Sequence, residues 1–117
     1  DRERFQREVL PGLASGEPFD YLPYDCHAQA PAQEAVHMPA ARVRIVEGVY
    51  SLHPDLAAAY NVKLFLNVSQ RTQRGRIRQR SGEKMLDRFE KEWIPLEEHY
   101  FSFFSIEAAC DITLHTD

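Results

Sequence analysis

The sequence predicts an α/β protein with a parallel sheet, and three observations predict it. Val43, Ile45 and Val46 form a β-branched run, the composition of a buried strand, and it ends on Glu47-Gly48. A second apolar run, Val62 to Val68, follows after a link of about a dozen residues with a helical stretch in it, the length that a parallel crossover needs. After two further helical stretches, Asp111-Ile112-Thr113-Leu114 reads as a last strand. Strands alternating with helices define the class.

A chain of 117 residues with 44% hydrophobic residues, seven Phe, five Tyr and one Trp supports a single domain with a real core. Its formal charge of −4 argues against a general affinity for nucleic acid. Cys26 and Cys110 are far apart and lack metal-ligand spacing, so a reducing cytoplasm is expected rather than a disulfide framework. No apolar run is long enough to span a bilayer, and the first residues lack the apolar core of a signal peptide. Asp1 to Leu10 already reads as the middle of a helix, with Phe5 and Val9 four apart and no initiator Met. A piece of a longer protein is the expectation.

Four parts follow in order: 1–41, 42–68, 69–82 and 83–117. In the first, a helix from Arg2 to Leu10 is interrupted by Pro11-Gly12, and Gly16 with Pro18 opens a long connection. That connection, Phe19 to His27, is aromatic. It suits a planar ring with polar edges, or else it pins an irregular loop to the core. Ala28 to Ala41 is an extended excursion, with a brief strand near Val36 to Met38.

In the second part, Glu47 is the informative residue. Ligands of open α/β sheets lie outside the carboxyl ends of the strands, so an acid there, followed by a glycine that admits close backbone approach, is placed for chemistry. A surface glutamate at a turn is the simpler alternative. Pro54 and Asp55 then suit the first turn of a short helix running to about Ala59.

The third part is a helix from Gln70 to Arg80 with Ser69 as its N-cap. It carries Arg71, Arg74, Arg76, Arg78 and Arg80, with Ile77 its one sizeable apolar side chain. Arg71, Arg74 and Arg78 share one face, and Arg76 and Arg80 another. So many guanidiniums repel one another unless phosphates, or glutamates from elsewhere, offset them.

Ser81-Gly82 breaks the chain before a long helix from Glu83 to Phe104. Leu86, Phe89, Trp93, Leu96, Tyr100 and Phe103 form an apolar stripe that reads as core. Pro95 removes a backbone donor and predicts a kink near Ile94.

These residues together carry a family resemblance. The strand ending in Glu47-Gly48, the run Glu47 to Pro54, the segment Arg76 to Glu83, Trp93-Ile94-Pro95-Leu96-Glu97, and Tyr24-Asp25 with a nearby His resemble the uridine kinase and phosphoribulokinase-like P-loop kinases, in particular a bacterial uridine-kinase-like branch. The similarity runs from Arg4 onward and matches only the later part of such an enzyme. It implies a P-loop NTPase-like fold and ATP-dependent, Mg2+-assisted phosphoryl transfer to a hydroxyl of a nucleoside, uridine-like, or a related small molecule. It also allows a homo-oligomer. By the same resemblance Tyr24 and His27 bind the acceptor, Glu47 lies by the metal and the acceptor hydroxyl, and Arg76 and Arg80 form a lid over the phosphates. The departures are the closer spacing of His27 to Tyr24 and Asn67 where the family has an acid, so the acceptor can differ from uridine.

The phosphate-cradling pattern GxxxxGK[ST] does not occur in the chain, and no position matches the family's catalytic aspartate. The 117 residues alone are therefore expected to be inactive. A non-catalytic binding module is the competing reading, and an RNA-binding module built on the arginine helix is a more distant one.

Overall fold

A computed structural model describes all 117 residues. The protein is a small mixed α/β structure with short two-stranded sheets, one of them parallel. It divides into two compact units, Asp1–Glu47 and Gly48–Asp117.

The first unit opens with α1 (Arg2–Glu8), capped by the Asp1 carboxylate, which accepts from the Arg4 N–H at 3.0 Å. Pro11 does not end the helical path. It lies in the first turn of a second helix, α2 (Leu10–Ser15), where its missing N–H has no partner to lose. Gly16 then stops α2 in a left-handed conformation, with φ 75°. The aromatic stretch is more ordered than a loop. β1 (Phe19–Tyr21) pairs antiparallel with β4 (Val36–Met38), and β2 (Tyr24–Asp25) pairs with β3 (Ala30–Pro31). Asp20 stands opposite His37 in the first ladder, their side chains 2.7 Å apart.

The strand expected at 43–46 is not formed. Residues 42–47 make no backbone–backbone hydrogen bond, and an extended segment without a neighbour has no ladder to join. Burial still alternates with a period of two, but the inward residues are Arg44 and Val46, while Val43 and Ile45 are 80% and 87% exposed. The reason is Arg44. Its guanidinium donates to the carbonyls of Gly12 at 2.8 Å, Glu17 at 2.8 Å, and Gly16 and Pro39 at 3.1 Å each, which ties the segment to α2 and the start of β1.

In the second unit, α3 (Pro54–Ala57) is capped by His53, which accepts from the Asp55 N–H at 3.2 Å. β5 (Leu64–Asn67) runs parallel to β6 (Ile112–His115), with Leu64 opposite Ile112 and Asn67 opposite His115. The crossover between them holds α4 (Gln70–Ser81), α5 (Glu83–Arg88), a π-helical stretch Phe89–Trp93, α6 (Ile94–Phe103) and a 3-10 turn Glu107–Ala109. Ser69 caps α4 as expected, its hydroxyl accepting from the Thr72 N–H at 3.4 Å.

Pro95 leaves its mark upstream of the expected kink. Lacking an N–H, it cannot satisfy the carbonyl one turn back, and the chain widens into a π turn in which the Ile94 N–H reaches the Phe89 carbonyl. The extra residue in that turn advances the inward face by one position. Leu96 and Phe103, expected in the core, are exposed, and Glu97, Phe101 and Phe104 turn inward instead. The core of this unit is Leu56, Ile77, Leu86, Tyr100 and Ile106. Around Tyr100 the Tyr50, Phe101 and Phe104 rings lie at 4.9, 5.6 and 5.4 Å between centroids. Burial pushes the Tyr100 hydroxyl up from its ordinary pKa, with Tyr50 adding to the shift.

Candidate functional site

Both units have a concave surface. In the first unit a groove of about 670 Å3 runs along α1, lined by Phe5, Phe19, Tyr21 and Tyr24 among others, with Ile45 and Val46 from the segment after β4. The fold explains why aromatic rings gather there. The β1–β4 and β2–β3 ladders fix Tyr21 and Tyr24 on short, rigid pieces of backbone, and Phe19 is wedged by α2. The Phe19 and Tyr21 rings are 6.3 Å apart and tilted by 37°.

The groove's polar element is Arg4. Its Nε donates to both Glu8 carboxylate oxygens, at 3.0 and 2.9 Å, and its Nη2 donates to the Leu22 carbonyl at 2.5 Å. That second bond ties the helix to the strand connection, so Arg4 is committed to structure. The same bonds hold the Glu8 carboxyl below its usual range, chiefly through Arg4. Sequence reasoning passed over this pair, although an Arg and a Glu four apart on one helix are a legible signal.

Of the five residues singled out from sequence, Tyr24 lines the groove and is 56% exposed. His27 does not line it. It lies in the β2–β3 turn, exposed, with its N–H donating to Asp25 Oδ1 at 2.8 Å. Glu47 is exposed and takes part in no hydrogen bond or ion pair, and Gly48 beside it adopts φ 153°, a conformation that suits glycine. Glu47 is thus a single carboxylate with no grouping of further acids or histidines to form a metal cage. One carboxylate is still what Mg2+ commonly takes from a protein when phosphates supply its other ligands.

The arginines of α4 divide sharply. Arg74 pairs with Glu90 at 2.7 Å and Arg78 with Glu83 at 2.6 Å, so glutamates offset part of the charge. Arg76 reaches the end of β6, donating to the Thr116 hydroxyl at 3.2 Å and to the Thr116 carbonyl. Arg80 has no carboxylate partner. It donates to the Ser81 hydroxyl at 3.3 Å and lies 5.8 Å from the centroid of the Phe89 ring. Arg71 is exposed and makes no hydrogen bond or ion pair. The five guanidiniums are therefore not one cluster: Arg74 and Arg78 are paired with glutamates, Arg76 is tied to β6, and Arg71 and Arg80 are exposed without a carboxylate partner.

The second concave surface, about 570 Å3, lies beside β5, lined by Phe65, Asn67 and residues of α6 and the turn before β6, and involves none of the five residues. No helix is long and apolar enough to cross a membrane. Neither a scan against protein-family models nor a comparison with curated proteins finds a match for this chain.

Proposed function

We propose that this chain is the acceptor-binding and lid portion of a kinase of P-loop NTPase-like fold that moves the terminal phosphoryl group of ATP to a hydroxyl of a nucleoside, uridine-like, or a related small molecule. The observation that carries the reading is the groove of the first unit, where Phe5, Phe19, Tyr21 and Tyr24 gather and the two tyrosines bring phenols, a lining suited to a planar ring with polar edges. Arg80 and Arg71 add guanidiniums without carboxylate partners, the kind of cation that stabilises the charge on a transferring phosphoryl group. Arg76 serves the lid only by leaving Thr116, so Arg80 is the main candidate there. Glu47 would contribute one ligand, or a hydrogen bond to the water shell, of a Mg2+ held mainly by the nucleotide.

Two measurements test it. Uridine titrated into the 117-residue chain should move the Tyr21 and Tyr24 ring resonances, and Tyr24→Ala should weaken that binding by about tenfold, the scale of one lost aromatic contact and its hydrogen bond. In a longer polypeptide that supplies the phosphate-binding motif, Arg80→Ala should lower turnover by at least about tenfold. Failure of uridine and other nucleosides to bind defeats the acceptor assignment, and unchanged turnover removes Arg80 from the lid.

A non-catalytic binding module is the second reading. It is favoured by the engagement of Arg74, Arg76 and Arg78 in contacts within the fold, and a longer form of the chain that lacks GxxxxGK[ST] would favour it further. Ring binding in the groove with no turnover in any longer form would decide for it.

A further inference from the structure

We propose, resting on the groove of the first unit as the acceptor site, that the acceptor is an uncharged nucleoside whose base carries an apolar arm. The two ends of that groove differ. Phe5, Val9 and Leu13 succeed one another at intervals of four, and all three line it. The helical hydrogen bonds from the Val9 N–H to the Phe5 carbonyl and from the Leu13 N–H to the Val9 carbonyl, each 3.0 Å, run unbroken past the boundary of α1 and α2. The three side chains therefore form one wall along the groove. Where that wall begins, Arg4 is bonded to Leu22, between Tyr21 and Tyr24 in the chain. Where it finishes, Gly12 lies against the Phe19 ring, and Phe19 stands opposite Met38 in the β1–β4 ladder. One end has two phenols, and the other has Val9, Leu13, Phe19 and Met38.

The charged side chains in the lining are committed. Both Glu8 carboxylate oxygens accept from Arg4 Nε, which turns the acid back toward the tyrosine end, and Asp1 Oδ1 accepts from the Arg4 main-chain N–H. The Leu22 and Pro23 carbonyls are taken as well, the first by Arg4 and the second by the Ala32 N–H at 2.7 Å. The Tyr21 and Tyr24 hydroxyls make no hydrogen bond within the fold and are left for a ligand.

Such a lining recognises few polar atoms, and at one end only. An anionic arm would meet two carboxylates and a single guanidinium that already serves one of them, so charge counts against a phosphorylated or carboxylated acceptor. A ring held by the tyrosines leaves the far end to an apolar substituent, which gains by leaving water there. The volume, about 670 Å3, is within the range of small-molecule sites and leaves room for the arm beside ring and ribose.

The test compares uridine, 5-benzyluridine and 5-carboxymethyluridine, which share a ribose and differ in the arm, each titrated into the 117-residue chain at neutral pH with calorimetric and NMR detection. 5-Benzyluridine should bind at least about tenfold more tightly than uridine and shift the Val9 and Leu13 methyl signals, while 5-carboxymethyluridine binds no more tightly than uridine. Val9→Thr keeps the side chain's shape, puts a hydroxyl at the apolar end and should cut the benzyl compound's advantage by about threefold or more. Tyr24→Ala should weaken all three compounds alike. Equal affinity of uridine and 5-benzyluridine, an equal gain from the carboxymethyl arm, or an advantage that Val9→Thr leaves intact would overturn the apolar arm while the groove keeps its acceptor role. Binding of none of the three would overturn the acceptor reading and the arm with it. Thermal unfolding of Val9→Thr shows whether its fold is retained, and the comparison of the three compounds on the wild type decides the matter without it.

Discussion

The guanidinium of Arg44 lies 5.0 Å from the centroid of the Phe19 ring while donating to four main-chain carbonyls around it. Gly12 crowds the same ring: a methyl group there would stand 2.2 Å from Phe19 Cγ. Phe19 is thus in contact with a helix backbone and a cation, and it lines the groove proposed to receive the acceptor. Arg44→Met should leave several carbonyls short of a donor and destabilise the first unit by about 2–4 kcal/mol, measured by urea unfolding. Arg44→Lys should recover only part of this, because a single ammonium cannot span the carbonyls that the planar fork reaches.

Gly12→Ala tests the same ring from the side of α2. The added methyl has no room unless the Phe19 ring moves, a form of overpacking that costs about 1–3 kcal/mol. Combining it with Phe19→Leu should give a double variant more stable than the sum of the two single effects, because the smaller side chain admits the methyl. Simple additivity in the double-mutant cycle would show that the two residues do not compete for space.

How legible all this was depends on what kind of signal each element carries. Ser69, Pro54 and Asp55 act through their own turn of helix, and α3 and α4 begin where those residues predict. The apolar runs at 64–67 and 112–115 find each other because each is the other's ladder. Val43 to Val46 has the composition of a strand, but composition does not show that Arg44 finds four carbonyls, most of them about thirty positions earlier in the chain. Tyr24 is visible as part of an aromatic cluster, whereas Phe5 reaches the same groove from α1, which Arg4 ties to Leu22 over a sequence distance that no local pattern reveals.

Core truncations should separate the two kinds of apolar residue. Leu86 and Ile106 are each 3% exposed, and Leu86→Ala or Ile106→Ala should cost about 2–5 kcal/mol. Val43→Ala should stay within about 0.5 kcal/mol, as expected of a surface substitution. A loss of several kcal/mol from Val43→Ala would mean that 42–46 is buried in solution as a paired strand.

Arg76 and Arg80 should also part company. Arg76→Ala removes two donors from Thr116 at the end of β6 and should lower stability by about 1 kcal/mol, with its largest effect on amide exchange around β6. Arg80 is exposed, with one hydrogen bond to Ser81 and a place over the Phe89 ring, so Arg80→Ala should change stability by less than about 0.5 kcal/mol. That small cost makes it a clean probe of phosphate binding.

The π turn before Pro95 sets up a pH dependence. By advancing the inward face of α6 one position, it exposes Leu96 and draws Glu97 inward, where burial raises the carboxyl above its ordinary value. A carboxyl whose folded pKa exceeds its unfolded one binds its proton more tightly in the folded state. The resulting destabilisation is fully present above the folded pKa and is relieved as pH falls through it toward the unfolded value. Glu97→Gln should therefore stabilise the protein at neutral pH. The gain should shrink with acidification and vanish once the wild-type carboxyl is protonated in both states. Glu8 works in the opposite sense, since Arg4 lowers its pKa: its contribution is present above the unfolded value and lost as pH falls through the folded one. Urea unfolding of the wild type, Glu97→Gln and Glu8→Gln across the acid range should thus give two difference curves of opposite sign. A Glu97→Gln difference that does not change with pH would show that the carboxyl has the same affinity for its proton in the folded and unfolded states, and would overturn the burial of Glu97 as the cause.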